Sequence, residues 1–276
     1  MRRPLTSGSP AGATRETPAS AEIVDEAAGR FGRAYAAVPT TDVVLVIPAY
    51  NETGSVGDVV RSVPATLCGL TVTTLVVDDG SLDGTAAEAA DAGALVCSLA
   101  GNVGQGIAFR LGYRLARQRG ASYIATADAD GQWDPRELPR LLELVLAGDA
   151  DLANGSRRLG RTYSGGVLRN IGVVVFGAVV SLLTGVRITD PANGLRVMRA
   201  GVTDAVTLRQ PQYQTSELLI RAIAAGFRVR EAPVTMYGRQ AGETKKGRTL
   251  RYGARFTRVV FTTWWEARVR ARRPPR

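Results

Sequence analysis

The chain has 276 residues, 45% hydrophobic and 22% charged, an ordinary globular composition with length for one large α/β domain or two small ones. It has no histidine, which excludes Ser-His-Asp, Cys-His and His-ligated metal chemistry. Its two cysteines, Cys68 and Cys97, lack metal-ligand spacing, so no disulfide framework or structural zinc is expected and a reducing compartment fits.

The net charge of +10 is confined to one stretch. Residues 1–42 and 43–237 are each balanced, whereas 238–276 carry 12 basic and two acidic groups. Such a stretch points to phosphates, an anionic membrane surface or nucleic acid, or else to a solvated tail.

Residues 1–20 are rich in Ser, Thr, Pro, Gly and Ala, with no signal-peptide core. Residues 1–40 are expected to be disordered or loosely attached, with a short helix over 21–37. Val43–Ile47 is an apolar run of buried-strand length, and 53–63 reads as a helix. Strands are expected at 72–77, 94–99, 122–126 and 151–155. Helices are expected after DDGSLDGT, over 107–119, and from Pro135 to Leu146. This alternation predicts an α/β fold with a doubly wound, mainly parallel sheet, whose ligands bind outside the carboxyl ends of the strands.

The turn at 101–106 is G-x-x-G-x-G, so neither the dinucleotide fingerprint nor a P-loop is present. Ile171–Val186 is a run of 16 uncharged residues between Arg169 and Arg187. A spanning helix needs about 20 residues, so a buried or interfacial helix is expected. Near the end, Tyr252, Phe256, Val259, Val260 and Trp264 fall on one helical face, with Trp265 adjacent and arginines flanking. This amphipathic helix either lies at a membrane interface or packs its apolar face on the domain.

The segment ADADGQW, Ala127–Trp133, closes the strand at 122–126. Strand alternation puts Asp128 and Asp130 on one side if the extended geometry persists through them. Two hard oxygen ligands there suit Mg²⁺ or Mn²⁺, and such a cation suits a diphosphate; the plainer reading is a polar turn. Any general base is expected to be Asp or Glu.

Three segments, VIPAYNE (46–52), VVDDGSLDGT (76–85) and DADGQ (128–132), converge on one rim in this arrangement. Together they resemble the family 2 glycosyltransferases, which share the GT-A fold. GSR (155–157), DPANGLR (190–196), SELLIRAIAAGFRVREAPV (216–234) and GETKKG (242–247) resemble the branch of dolichol-phosphate mannose synthases and polyprenyl-phosphate sugar transferases. The resemblance implies a GT-A domain over 41–237, with 238–276 as a basic loop and amphipathic helical extension.

By that resemblance, Pro48, Tyr50, Glu52 and Asp79 line the nucleotide base and ribose. Asp78 is the weaker of its pair and serves the turn, and Asp83 and Thr85 shape the turn and cap the next helix. Asp128, Asp130 and Gln132 surround a divalent Mg or Mn cation on the donor diphosphate. Arg157 and Arg169 hold an acceptor phosphate or the donor pyrophosphate, though Arg169 also reads as a flanking charge. Asp190 and Arg196 read as a structural pair. Glu217 opens a helix, where it either satisfies the helix dipole or deprotonates an acceptor hydroxyl. Lys245, with Lys246, lies in a Gly-flanked loop that either closes over the donor or stays solvated.

The implied activity is inverting, metal-dependent transfer of a sugar from a UDP- or GDP-sugar to a polyprenyl phosphate, with glycosylation of a soluble small-molecule hydroxyl as the alternative. The basic stretch and the apolar helix favour the lipid. Gln105, where many relatives carry Lys or Arg, and the lack of appended paired transmembrane helices favour the soluble acceptor. The expected setting is cytoplasmic, with peripheral contact on the inner face of the cell membrane. A sugar-1-phosphate nucleotidyltransferase would need an Arg-containing Gly-rich loop where PAYNETG stands. A nucleic-acid-binding protein would leave the carboxylates unexplained, and no nucleic-acid partner is expected.

Overall fold

The computed structural model describes residues 17–163, 167–210, 212–238 and 249–271, with the side chains of 167–170, 249–252, 254 and 269–271 excepted. The first element, α1 (Pro18–Ala34), is opened by a capping box: Thr17 Oγ1 accepts from the Ser20 N–H, and Ser20 Oγ accepts from the Thr17 N–H. Val24, Ala27 and Phe31, one stripe at helical spacing, are buried in the main core. Part of the segment expected to be loose is therefore docked. The buried stripe is joined by an ion pair from Asp25 to Arg114 at 2.8 Å, contacts that the average composition of the region does not suggest.

The chain continues through β1 (Val43–Ala49), α2 (Val56–Arg61), β2 (Thr66–Leu67), β3 (Leu70–Asp78), α3 (Thr85–Asp91), β4 (Leu95–Ser98), α4 (Gln105–Gln118) and β5 (Tyr123–Thr126). A 3-10 turn (Pro135–Glu137) leads into α5 (Leu138–Leu146), followed by β6 (Leu152–Thr162), α6 (Val167–Thr184), β7 (Arg196–Arg199) and α7 (Ala200–Ala205). The remaining elements are α8 (Gln214–Ala224), β8 (Val229–Met236) and α9 (Thr249–Ala271).

Among the described residues the strands form one sheet. Its order is β4-β3-β1-β5-β7-β6-β8, with β2 antiparallel on the start of β3. β4, β3, β1 and β5 run parallel, β6 and β8 run parallel, and β7 is antiparallel to both of its neighbours. β1 shows why helices cover both faces: Val44 and Val46 enter one core with α1 and α4, while Val43, Leu45 and Ile47 enter the other with α2 and α5. Tyr35, just past α1, receives the Val96 N–H on its hydroxyl at 3.1 Å, and Arg30 Nη2 reaches the Ser98 carbonyl at 3.2 Å.

β6 is longer than the predicted 151–155. Its first six residues are buried and its last five exposed. In α6, Val173, Gly177 and Val180 face inward, while Ile171, Val174, Val175 and Leu182 are exposed. α9 packs alongside: Phe256 stacks on Phe176 with centroids 4.1 Å apart, and the Trp264 indole N–H reaches the Leu183 carbonyl at 2.5 Å. Phe256, Val260 and Thr263 are buried, whereas Phe261 and Trp265 stay exposed. α9 thus packs one face on the domain and turns a second apolar strip outward. No described helix is long and apolar enough to cross a membrane.

Candidate functional site

The parallel strands β4, β3, β1 and β5 end at one rim, and the loops after them are tied together. The Asn51 N–H donates to Ser81 Oγ at 2.9 Å, the Glu52 N–H to Thr85 Oγ1 at 2.9 Å, and the Leu82 N–H to Asn51 Oδ1 at 3.0 Å. Asp83 accepts from the backbone N–H and hydroxyl of Thr85, the turn-shaping role expected of it. Glu88 takes the N–H groups of Gly54 and Gly57 at 2.7 and 2.9 Å. Pro48 is buried in β1, and Tyr50 and Glu52 stand half-buried just beyond it.

The Asp78–Asp79 pair closes β3. Asp79 Oδ1 accepts from the Val103 N–H at 2.8 Å and Oδ2 from the Gly104 N–H at 2.9 Å. Asp79 is 3% exposed, and burial pushes its pKa up to about 6, against those two N–H groups and with help from Asp78. Gly80, at φ +72°, lets the loops meet: a Cβ there would stand 2.4 Å from the Gly101 carbonyl carbon. Asp79, expected at the base and ribose, is engaged with the 103–104 backbone. Asp78 spends Oδ1 on the Ser81 N–H at 3.0 Å, the turn role expected of it.

After β5 the chain places Asp128, Asp130, Gln132 and Trp133 in one tight turn. Asp130 Oδ1 accepts from the Gln132 N–H at 3.0 Å, and Asp128 Oδ2 accepts from the Trp133 indole N–H at 3.1 Å. The Gln132 carbonyl takes the Tyr237 N–H at 2.9 Å, and Trp133 bridges Met236, so the turn is anchored on the end of β8. No group of three or more His, Cys, Asp or Glu among the described residues could hold a metal alone. Two hard carboxylates fit a cation of the magnesium type, which keeps water and completes its shell with phosphate oxygens.

Arg157 stands over the Trp133 ring, its Cζ 5.0 Å from the centroid. Arg157 forks onto Asp190, with Nε–Oδ2 at 2.6 Å and Nη2–Oδ1 at 3.0 Å, both side chains being buried. Asp190 therefore pairs with Arg157 and not with Arg196. The turn carrying Asp190 is held from beneath by Glu231, which accepts from the N–H groups of Thr189 and Asp190 at 2.7 and 3.0 Å. Arg196 is buried elsewhere, donating to Asn154 Oδ1 at 2.8 Å and to the carbonyls of Pro191 and Thr215. Burial lowers its pKa to about 10, although Tyr113, Asp190, Asp128 and Glu231 favour its charge.

Glu217 does not reach the rim chemistry. It is 0% exposed, accepts from the backbone N–H groups of Arg209 and Gln210 at 2.8–3.0 Å, and pairs with Arg221 Nε at 2.8 Å. These contacts give it the structural role at the start of α8, one of the two expected of it. Arg169 lies in the first turn of α6, with its side chain outside the described residues. Lys245 and Lys246 lie outside them altogether. Sequence reasoning missed Trp133, Asn154 and Glu231. The only signal for Trp133 was its place five residues after Asp128.

Residues 44–202 match the family model described as Glycosyl transferase family 2. The chain is 32% identical over 207 residues to the low-salt glycan biosynthesis hexosyltransferase of Haloferax volcanii, covering 73% of this chain and 49% of that one, so it spans about half of that relative's length. It is 36% identical over 228 residues to the polyprenol monophosphomannose synthase of Mycolicibacterium smegmatis, covering 75% of this chain and 82% of that one. Among solved structures, glucosyl-3-phosphoglycerate synthase from Mycobacterium tuberculosis in complex with Mn²⁺, uridine diphosphate and phosphoglyceric acid superposes with a TM-score of 0.63. The identity is 19%, with 90% of this chain and 84% of that one covered, a likeness of fold.

Proposed function

The chain belongs to glycosyl transferase family 2, and from that premise we propose that it moves a sugar from a nucleoside-diphosphate donor to a polyprenyl phosphate. The observation that carries this reading is the adjacency across Trp133. The Asp128 carboxylate, two residues from Asp130, accepts the indole N–H, and a buried guanidinium suited to phosphate, Arg157, lies over the ring. The relative named polyprenol monophosphomannose synthase, matched over 82% of its length, supports the lipid class.

Asp128 and Asp130 would hold a divalent cation against the donor diphosphate. When bound, it supplies Lewis-acid neutralisation of the charge growing on the departing nucleoside diphosphate. Tyr50 and Glu52 flank the nucleoside, with Asp79 acting through the 103–104 loop it fixes. Arg157, locked in orientation by Asp190, aligns the acceptor phosphate. A phosphate oxygen attacks the anomeric carbon as the carbon–oxygen bond to the diphosphate breaks, so configuration inverts. That nucleophile arrives ionised and needs no base, which agrees with Glu217 being spent inside the fold.

The exposed stripe Ile171, Val174, Val175 and Leu182 on α6, with Phe261 and Trp265 on α9 beside exposed Arg255, Arg258 and Arg268, suits the surface of an anionic bilayer. There a lipid acceptor would be met.

The test is a donor screen. UDP- and GDP-hexoses are offered with Mn²⁺ or Mg²⁺, with and without a short-chain polyprenyl phosphate. Lipid-dependent release of nucleoside diphosphate and an inverted product are expected. Transfer to soluble hydroxyl acceptors alone would replace the lipid, and no turnover of any donor would overturn the reading.

A further inference from the structure

Trp133 is 2% exposed, and its side chain meets both Asp128 and Arg157. Its one polar group, the indole N–H, can only donate, and it donates to Asp128 Oδ2 at 3.1 Å. Its ring lies beneath Arg157, with Cζ 5.0 Å from the centroid. Neither contact is free to drift. The Trp133 backbone bridges Met236, the preceding carbonyl takes the Tyr237 N–H, and Asp134 Oδ1 receives the Arg136 N–H at 2.9 Å to set the next turn. Met236 also meets Arg157, Nη1 to Sδ at 3.1 Å. On the far side Arg157 is forked onto Asp190, and four residues on, Gly194 lies against the Asp128 carboxylate. The contacts form a closed circuit with Trp133 between the two functional groups.

We propose that Trp133 is a positioning residue for both halves of the site, its indole N–H aiming the Asp128 carboxylate at the donor's cation and its ring holding the Arg157 guanidinium for phosphate. The proposal rests on the functional reading above. Partners that orient a ligating carboxylate typically change metal affinity by about 10–100-fold when removed. A ring face beneath a guanidinium restricts it without a hydrogen bond.

Two variants separate the roles. Trp133→Phe keeps a ring under Arg157 and loses the N–H, whereas Trp133→Leu loses both. Binding of UDP and of GDP is measured by calorimetry with and without Mn²⁺, alongside thermal unfolding of the metal-free protein and the KM for polyprenyl phosphate. For Trp133→Phe, Mn²⁺-dependent nucleotide binding should weaken about tenfold. Its metal-free binding and acceptor KM should stay as in the unaltered chain, while the unfolding midpoint falls modestly from the lost packing. Trp133→Leu should add a rise in acceptor KM.

Unchanged Mn²⁺ dependence in Trp133→Phe overturns the proposal, as does an equal loss of metal-free and metal-dependent binding. Trp133→Phe decides the matter even if Trp133→Leu does not fold. If the unaltered chain binds both nucleotides with no gain from Mn²⁺, the functional reading fails and the proposal falls with it. That outcome is distinct from a failure confined to the variant.

Discussion

A Cβ on Gly194 would stand 2.4 Å from Asp128 Oδ2, so the 190–194 turn presses directly on the carboxylate that closes β5. Thr126 Oγ1 donates to the Gly194 carbonyl at 2.7 Å and holds the turn in place. In Gly194→Ala the group that yields is the end of the Asp128 side chain, not backbone. Mn²⁺-dependent nucleotide binding should therefore fall by about tenfold or more, with little change in unfolding midpoint. Calorimetry and a thermal melt check this. A large drop in the midpoint with metal dependence intact would contradict it.

Glu217 and Arg221 are a turn apart on α8 and both buried. Breaking such a pair from one side costs about 3–5 kcal/mol. Glu217→Gln should therefore lower stability in urea unfolding by about that amount, with turnover per folded molecule within a few-fold of the original. Loss of a general base would cost about 10²–10⁴-fold in turnover instead.

Asp79 holds its proton to about pH 6 in the folded chain, against an ordinary value of 3.8. Between these two values the native state binds more protons than the unfolded state. The Asp79 contribution to stability is thus greatest below about pH 4, falls as pH rises, and levels off above about pH 6. Denaturation midpoints measured from pH 4 to 7 should show this component in the original chain and lack it in Asp79→Asn.

The outward faces of α6 and α9 predict binding to anionic vesicles that weakens with added salt, since each basic group near such a surface contributes about 1 kcal/mol. Leu182→Glu and Trp265→Glu, both at exposed positions, should reduce sedimentation with phosphatidylserine-containing vesicles while leaving the melting temperature in place. Truncation after Thr249 should reduce it as well. Failure of the intact chain to sediment at low salt would remove the membrane from the proposal and favour a soluble acceptor.

β1, buried on both faces, was legible because it reads as an unbroken apolar run, and β3 and β5 also fall within a few residues of their predicted places. β7 was not, because its four residues, RVMR, begin and end in arginine. Arg196 is held there by Asn154, 42 positions earlier, and by the carbonyls of Pro191 and Thr215. β8 alternates buried and exposed positions but contains Pro233, which reads against a strand. In the site, carboxylates two residues apart at a strand end carry their own chemistry, so Asp128 and Asp130 could be picked out. The partner of Asp190 could not. Arg157 is 33 positions away and Arg196 only six, and the fold chose the distant one. Glu217 matched a dipole rule that holds for any helix start, and that rule does not say whether the carboxylate faces a cavity or a backbone turn.

The helix at the start of the described chain has a bearing on solubility. Among the described residues β4 is bonded to β3 on one side only, and its other side would otherwise offer main-chain groups to any passing strand. Tyr35 takes the Val96 N–H and Arg30 takes the Ser98 carbonyl, which are the groups an incoming strand would use. With α1 in place, edge-to-edge assembly between copies is blocked at this border. A chain shortened to begin at Thr41 would regain an open template there, and would aggregate through it before it lost any part of the rim.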